Sequence, residues 1–378
     1  MKIAMLGHKR MPSREGGVEV VVEELATRMA ALGHDVTLYS RKGHNVAGSE
    51  FDDPVFDQDE YDYKGVHVKQ VPTLDAKGLA AVTSSIAAMK AAIADKPDVI
   101  HIHAEGPCAT IGMAKRAGIR TVATIHGLDW QRAKWGRFGR TYIKYGEKVA
   151  AKKADEIIVL SENVKQYFNT EYGRDTVFIS NGVEAKTCIP ARLITEKYGL
   201  AEGSYILFLG RMVPEKGIHY LIEAFKRVDT DKKLIIAGGS SDTDSYYAEL
   251  KKKAAGDDRI VFIGFVQGKL LEELYSNCAL YVLPSDLEGM PMSLLEAMVH
   301  GACCLTSDIF ECVEVIGGCG ITFKRGNSLD LADKIDVLLK SPDLSRKLGV
   351  KAEIRVLKEY CWDSVVDTTL RIYSVGGE

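Results

Sequence analysis

Short apolar runs alternate with amphipathic segments along most of the chain. The first run, Lys2 to Leu6, leads through a loop with Gly16-Gly17 into Val18 to Leu32, where apolar residues recur with a helical period. Further strands are predicted over 35–39, 66–71, 98–103, 121–125, 156–160, 177–179, 205–209, 233–237, 260–263, 279–283 and 302–306. Further helices are predicted over 79–94, 139–153, 218–227, 245–254, 268–276 and 291–300. This alternation is typical of parallel sheets covered by helices on both faces.

The alternation is interrupted once, between 184 and 200, where no period is strong and Pro190 and Gly199 occur. A chain of 378 residues also exceeds the usual size of a single core. We therefore predict an α/β protein with two doubly wound, Rossmann-like domains. The predicted bounds are 1–187 and 188–360, with a C-terminal helix at 361–378 that packs back on the first domain. Ligands of such domains bind at the carboxyl ends of strands, here in a cleft between the domains.

Composition narrows the class of protein without identifying it. A net charge of −3 gives no reason to expect a nucleic-acid partner. The N-terminus lacks the features of a signal peptide, and no apolar stretch approaches the roughly 18 residues that span a bilayer. The eight cysteines form no C-x-x-C pair, which argues against zinc and for reduced thiols. We expect a cytoplasmic protein.

Two places along the chain have residues suited to phosphate. Gly16-Gly17 opens a helix, where backbone N–H groups can approach an anion, although a plain turn explains the pair equally well. Arg211 follows the strand 205–209, and Lys216 precedes the next helix. Both cations at a strand end favour a diphosphate site. Neither the G-x-G-x-x-G dinucleotide fingerprint nor a P-loop is present.

Carboxylates lie beyond another strand, with Glu288 before a helix that Pro291 opens and Glu296 about two turns into that helix. They fit a general-acid pair, a metal site or acceptors for sugar hydroxyls. His126 ends the strand 121–125 and is expected to face the cleft. His101 and His103 are expected on opposite faces of their strand, which would prevent them from sharing a metal.

The segment from Trp130 to Lys153 contains eight basic residues and one acidic residue. Its aromatic residues follow helical spacing, and Arg137, Arg140, Lys144 and Lys148 form a stripe beside them. This pattern fits a helix that lies on an anionic membrane. It also fits a surface helix whose aromatic side chains pack into the core.

Taken together, these motifs resemble the family-4 retaining glycosyltransferases of the GT-B fold, over nearly the whole chain. Bacterial enzymes of capsule, exopolysaccharide or O-antigen assembly are similar in the N-terminal run. The residues that carry the resemblance are Gly16-Gly17, His126-Gly127, Asn181-Gly182-Val183, Gly210-Arg211 with Lys216-Gly217, and Pro284-Ser285-x-x-Glu288-Gly289 running to Glu296-Ala297-Met298 and Gly301.

The resemblance implies a role for each candidate residue. Arg211 and Lys216 would neutralise the donor diphosphate, which makes an essential metal or other cofactor unnecessary. Glu288, with backbone N–H groups near Gly289 and Met290, would hold the donor sugar. The remaining roles are a ribose contact for Glu296, a sugar contact for His126 and a donor-phosphate contact for Gly17, beside Gly16.

The implied reaction is front-face transfer of a hexosyl unit, with retention, from a nucleotide diphosphate sugar to a glycan or lipid-linked saccharide. UDP is the expected nucleotide. The stripe on 137–148 would add a peripheral contact at the inner face of the membrane. The alternatives are a nucleotide-sugar 2-epimerase of the same fold, a non-catalytic sugar-nucleotide-binding protein and a nicotinamide-dependent dehydrogenase, which the missing glycine fingerprint disfavours.

Overall fold

The computed structural model describes residues 1–14, 16–42, 54–74, 79–133, 135–239 and 244–374. The chain divides into two compact units. The N-terminal unit combines Met1–Gly182 with Trp362–Glu378, and the C-terminal unit is Val183–Cys361.

The N-terminal unit contains an eight-stranded sheet in the order β3-β4-β2-β1-β5-β6-β7-β8. Its strands are β1 Lys2–Leu6, β2 Asp35–Arg41, β3 Glu60–Tyr63, β4 Val66–Val71, β5 Val99–His103, β6 Arg120–Ile125, β7 Glu156–Val159 and β8 Val177–Phe178. Its helices are α1 Gly17–Ala31, α2 Ala80–Ala94, α3 Ile111–Arg116, α4 Arg137–Lys153, α5 Glu162–Tyr172 and the C-terminal α14 Trp362–Ser374. All neighbouring strands are parallel except β3 and β4.

The C-terminal unit contains a six-stranded parallel sheet in the order β11-β10-β9-β12-β13-β14. Its strands are β9 Tyr205–Leu209, β10 Lys233–Ala237, β11 Ile260–Gly264, β12 Leu280–Leu283, β13 Cys304–Ser307 and β14 Ile321–Phe323. Its helices are α6 Leu193–Tyr198, α7 Ile218–Phe225, α8 Asp244–Ala254, α9 Gly268–Asn277, α10 Met292–Val299, α11 Phe310–Ile316, α12 Ser328–Leu339 and α13 Pro342–Glu359.

The central strands form these elements because they are apolar on both faces. In β9, Ile206, Leu207 and Phe208 are all fully buried, as expected where helices cover both sides of a parallel sheet. Helix ends follow local chemistry as well. The Ser161 hydroxyl accepts the Val164 N–H and begins α5, and a left-handed Gly173 ends it.

The C-terminal helix α14 packs within the N-terminal unit. The hydroxyl of Tyr373 lies 2.6 Å from Nδ1 of buried His101, and Arg120 donates to the Ile372 carbonyl at 2.8 Å. At the helix start, Arg28 of α1 pairs with exposed Asp363 at 3.2 Å. The end of the chain thus completes the first sheet's helical cover.

Three details differ from the sequence expectations. The polar run before Val66 contains a strand, β3, which pairs antiparallel with β4. The short strand β14 closes the second sheet beyond β13. Helix α10 begins at Met292 with Pro291 as its N-cap, so that Glu296 lies about one turn into the helix rather than two.

Candidate active site

The strand order of the C-terminal sheet reverses between β9 and β12. In open α/β sheets, ligands bind outside the carboxyl ends of the strands at such a reversal. Arg211 and Lys216 follow β9, and Glu288 follows β12. The predicted cations and the first predicted carboxylate therefore lie at the same edge of one sheet.

The loops after β9 and β12 are in direct contact. Gly217 has a φ of +65°, and a Cβ atom there would lie 2.0 Å from the carbonyl oxygen of Pro284. No side chain fits that space, so the glycine is what permits the approach. Two residues away in each loop, the Asp286 N–H donates to the Glu215 carbonyl at 2.8 Å. These contacts fix the spacing of the charged residues that the loops carry.

Lys216 and Glu288 form an ion pair, with 2.6 Å between Nζ and Oε1 and only 13% and 9% of their side chains exposed. The Ser285 hydroxyl donates to the same carboxylate oxygen at 2.6 Å. Behind it, the Ser307 hydroxyl donates to the Ser285 carbonyl at 2.5 Å. An ammonium group has three protons, so this pairing leaves Lys216 able to bind an anion as well.

The other residues predicted on these loops lie within five positions of this pair in sequence. Arg211 is half-buried, and its carbonyl accepts the Val213 N–H at 2.9 Å. Gly289 and Met290 are buried between Glu288 and the start of α10.

A second polar group, which the sequence motifs do not include, lies at the same edge. The carboxylate of Asp286 lies 3.4 Å from Nε of Arg325, which follows β14, and accepts from the Tyr220 hydroxyl at 3.3 Å. Its signal was weak, because a lone Asp, Tyr and Arg far apart in the chain are ordinary surface residues. Ser285 belongs to the Pro284-Ser285 motif, and its spacing does not predict the direct contact that it makes with Glu288.

Glu296 is half-buried on α10 and accepts from the Tyr275 hydroxyl at 2.9 Å. Burial, with the Glu296 charge beside it, raises the pKa of Tyr275 well above its usual value, so the phenol remains a donor. His300 stacks on the Tyr275 ring at 5.4 Å, and its Nδ1 lies 2.8 Å from the Glu296 carbonyl. Burial lowers the pKa of His300, so Nδ1–H donates to that carbonyl from a neutral ring.

In the N-terminal unit, His126 follows β6 and is buried. Its Nε2 lies 3.0 Å from Nδ1 of His103, at the end of β5. Burial lowers the pKa of His126 to about 4 and the pKa of His103 well below its usual value. Both rings are neutral near pH 7, so one donates and the other accepts.

Gly16 and Gly17 lie where a helix begins, at the carboxyl end of β1. Gly16 is the N-cap of α1 with no side-chain cap, and Gly17 is the first helical residue. Glu19, in the first turn, is buried and accepts the Lys9 N–H at 3.2 Å. Burial opposes ionisation of this carboxyl, but Lys9 and backbone N–H groups hold its pKa below the usual value.

The expectation that His101 and His103 point to opposite faces of their strand is wrong. Their ring centroids are 4.1 Å apart. Residues two apart on a strand share a face, because side chains alternate with a period of two. His101 also bonds through Nδ1 to the Tyr373 hydroxyl and through Nε2 to the Thr124 hydroxyl, both at 2.6 Å.

The basic stripe on α4 does not have a uniform environment. Arg137, Arg140 and Lys148 are exposed. Lys144 is turned inward instead, with Nζ 3.1 Å from buried Glu147 and 4.2 Å from the Trp130 ring centroid. The four residues therefore do not form the single solvent-facing stripe that their spacing predicts.

Over the residues that the structure describes, neither a metal-binding cluster nor a membrane-spanning helix is present. Within these ranges, His, Cys, Asp and Glu side chains form no group of three or more that could hold a metal ion. Within them, too, no helix combines the length and apolar character needed to cross a bilayer.

Two family models match the chain. The model of glycosyltransferase family 4 matches residues 15–187, and the model described as glycosyl transferases group 1 matches residues 192–355. Each match lies almost entirely within one unit of the structure.

Individual proteins resemble either the whole chain or about half of it. It is 24% identical to α-maltose-1-phosphate synthase of Mycolicibacterium smegmatis, over 99% of both chains. It is 26% identical to the O-antigen chain mannosyltransferase B of Escherichia coli, over 50% of this chain and 49% of the relative. Sucrose-phosphate synthase from Thermosynechococcus elongatus superposes with a TM-score of 0.83 at 22% identity, covering 98% of both chains. The Anabaena protein HepE with UDP-glucose gives 0.80 at 18% identity, covering 99% of both chains.

Proposed function

Because the chain belongs to the family-4 glycosyltransferases with the GT-B fold, we propose that it transfers a hexosyl unit, with retention, from a UDP-sugar. The observation that carries this proposal is the Lys216–Glu288 ion pair at the strand reversal of the C-terminal sheet. It puts a cation suited to diphosphate beside a carboxylate suited to sugar hydroxyls. The UDP-glucose bound by HepE supports the choice of nucleotide.

Catalysis in this proposal is positioning plus electrostatic stabilisation. The bond from the sugar C1 to the β-phosphate oxygen breaks as the acceptor oxygen bonds to C1 on the same face. The acceptor proton passes to the departing phosphate. Lys216 donates one N–H to Glu288 and another to the phosphate. The planar guanidinium group of Arg211 donates to phosphate oxygens as well. Glu288 and the N–H groups of Gly289 and Met290 hold the sugar.

The remaining predicted residues are proposed to complete donor recognition. Glu296 would accept from a ribose hydroxyl. His126 would contact the sugar as a neutral imidazole, since burial lowers its pKa to about 4. In the N-terminal unit, the Gly17 N–H at the uncapped start of α1 is suited to a phosphate oxygen, and Gly16 keeps the approach open.

We propose a glycan or lipid-linked saccharide as the acceptor, in the synthesis of a cell-surface polysaccharide. The O-antigen mannosyltransferase among the relatives supports this choice. So does the outer face of α4, where exposed Arg137, Arg140 and Lys148 accompany Phe138 and Tyr145, which are 72% and 57% exposed. Exposed aromatic and basic side chains on one helix are suited to binding the inner face of an anionic membrane.

A thermal-shift screen against nucleotide sugars tests the proposed donor. A ligand that binds only the folded protein at a hundred times its Kd stabilises it by about 2.7 kcal/mol. We expect UDP-sugars to raise Tm in the wild type and to lose most of that effect in Lys216→Ala. If other nucleotide sugars raise Tm but UDP-sugars do not, UDP is not the nucleotide of the donor. A donor that is converted without any acceptor would indicate an epimerase.

A further inference from the structure

Two glutamates are completely buried next to each other in the N-terminal unit. Glu105 follows β5, and Glu147 lies in the middle of α4; both are 0% exposed. Helix α4 can lie against the backbone of Glu105 only because residue 146 is glycine. A Cβ atom on Gly146 would lie 2.0 Å from the Glu105 carbonyl oxygen. Buried carboxyl groups are costly unless hydrogen bonds compensate them, so the contacts of each decide its state.

Glu147 has the contacts of an ionised carboxylate. Its Oε1 accepts from the hydroxyls of Tyr167 at 2.7 Å and Tyr172 at 2.5 Å, and Nζ of Lys144 lies 3.1 Å away. Its Oε2 accepts from the indole N–H of Trp130 at 3.1 Å. These four donors, one of which is positively charged, surround two oxygens and stabilise the anion.

Glu105 has the contacts of a neutral acid. Its Oε2 accepts the Asp129 N–H at 2.9 Å, while Oε1 is buried with no hydrogen-bond partner in the described part of the chain. Burial, followed by the charges of Asp129 and Glu147, raises the pKa of Glu105 well above its usual value. A proton on Oε1 removes the orphaned acceptor and supplies a donor for Glu147.

We propose that Glu105 and Glu147 share a single proton and together hold the loop 127–132, which directly follows His126. Each carboxyl group binds one residue of this loop: Glu105 accepts the Asp129 N–H and Glu147 the Trp130 indole N–H. Asp129 in turn pairs with Arg132 at 2.6 Å. Glu105 is thus a positioning residue that acts through the loop, and its importance for transfer rests on the proposed role of His126.

The shared proton makes the loop sensitive to alkaline pH. Above its pKa, Glu105 becomes a second anion beside Glu147 and Asp129, and the repulsion opens the pair. Burial raises the pKa of neighbouring Cys108, of Tyr142 on α4, and of Tyr167 and Tyr172 on α5, so these groups keep their protons longer than usual. The cations that face the pair, Lys144 and Arg132, already bind Glu147 and Asp129.

Hydrogen exchange of the full chain, followed by mass spectrometry and corrected for intrinsic rates, tests the pair without requiring activity. Between about pH 6 and about pH 10, we expect protection of 127–132 to fall at least about tenfold in the wild type. Glu105→Gln keeps a neutral donor and should retain protection throughout. Glu162→Gln, a change of a carboxyl on α5 that pairs with Lys165 and is 42% exposed, should follow the wild type. A flat wild-type profile, or the same loss in Glu105→Gln, would overturn the proposal.

The pH dependence of kcat/KM tests the positioning role. Above the pKa of Glu105, the wild type should lose about tenfold per pH unit, and Glu105→Gln should not. If exchange behaves as expected but both enzymes keep a flat kcat/KM, the loop has no part in transfer, and the positioning role is wrong. If no nucleotide sugar is a substrate at any pH, the proposed function fails instead, and the exchange result still decides the proton-sharing pair.

Discussion

At the scale of single residues, the Lys216–Glu288 pair is the feature from which most of the account follows. The two charges lie 2.6 Å apart with little exposure. Removing one partner of such a pair leaves the other charge without compensation, which is more disruptive than removing both. The pair is therefore sensitive to single substitutions even before a ligand is bound.

Replacing Lys216 or Arg211 with Ala should cut kcat severely. The leaving diphosphate gains negative charge in the transition state, and one such stabiliser contributes about 3–4 kcal/mol, a factor of about 10² to 10³. Steady-state kinetics with a UDP-sugar measure the loss. Lys340→Ala, which removes an exposed lysine paired with Asp336 on α12, should leave kcat unchanged. Activity of both site variants within a few-fold of wild type would contradict the assigned roles.

Gly217→Ala should destabilise the protein more than a change at a comparable glycine. Both Gly217 and Gly203 have left-handed φ values, +65° and +68°. Only at Gly217 does the added Cβ meet backbone, 2.0 Å from Pro284 O; Gly203 has nothing within 4 Å. We expect Gly203→Ala to lower the free energy of unfolding by about 1 kcal/mol. Gly217→Ala should lower it by about 1–3 kcal/mol more. Equal losses of unfolding free energy, measured with urea, would mean that the loops after β9 and β12 can move apart without an energetic penalty.

The residue scale also shows where sequence reasoning stops. The motifs identify Lys216 and Glu288 separately, but nothing in a spacing of 72 positions predicts that their side chains touch. No sequence pattern distinguishes Glu105 and Glu147 from other glutamates, and an isolated Glu is usually a solvated surface residue. Their burial depends on tertiary packing that no local pattern contains.

At the scale of elements, α4 has two different faces. Its inner face is buried and mostly apolar, but it carries Glu147, which bonds to Tyr167, Tyr172 and Trp130. Its outer face exposes Phe138 and Tyr145 among basic side chains. Helical spacing predicted the basic stripe. It could not predict which of the aromatic residues pack inward, because that choice depends on the neighbouring α5 and on the loop after β6.

Changing Arg137, Arg140 and Lys148 together to Glu should abolish binding to vesicles that contain anionic lipid. Each basic residue near such a surface contributes about 1 kcal/mol, so losing three weakens binding by about 3 kcal/mol, more than a hundredfold. Vesicle sedimentation at low salt measures the effect. The matched control changes exposed Lys251, Lys252 and Lys269 of the other unit to Glu. Equal losses in both triple variants would show that only net charge matters.

Most long elements could be predicted from hydrophobic periodicity, because the central strands are apolar throughout and the helices are amphipathic. The short strands β3 and β14 could not. The sequence of β3, Glu60-Tyr61-Asp62-Tyr63, is half acidic, and its pairing with β4 supplies the stability that its composition lacks. An edge strand of this kind is determined by its partner rather than by its own residues.

At the scale of the whole molecule, two mostly parallel sheets carry most of the candidate residues near their carboxyl strand ends. In the first sheet the order reverses between β1 and β5, and in the second between β9 and β12. Alternation of strands and helices predicted this architecture, and the comparisons confirm the GT-B fold. The donor sugar and acceptor depend on side-chain detail within these edges, which the pattern of elements does not determine.

We expect full activity in the presence of EDTA. In the proposed mechanism, Arg211 and Lys216 supply the positive charge that a divalent cation supplies to diphosphate in other enzymes. Initial rates with and without excess EDTA, and after adding Mg²⁺ or Mn²⁺, measure the dependence. An absolute requirement for a divalent ion would show that the two cations are insufficient for the leaving group.

The stereochemistry of the product tests the central claim most directly. The wild-type enzyme, a UDP-sugar that raises its Tm and a panel of glycan and lipid-linked acceptors would be incubated together. Proton NMR of the new linkage then gives the anomeric configuration of the transferred sugar. The account predicts that the donor's configuration is retained. An inverted anomer would contradict the proposed reaction at the Lys216–Glu288 site.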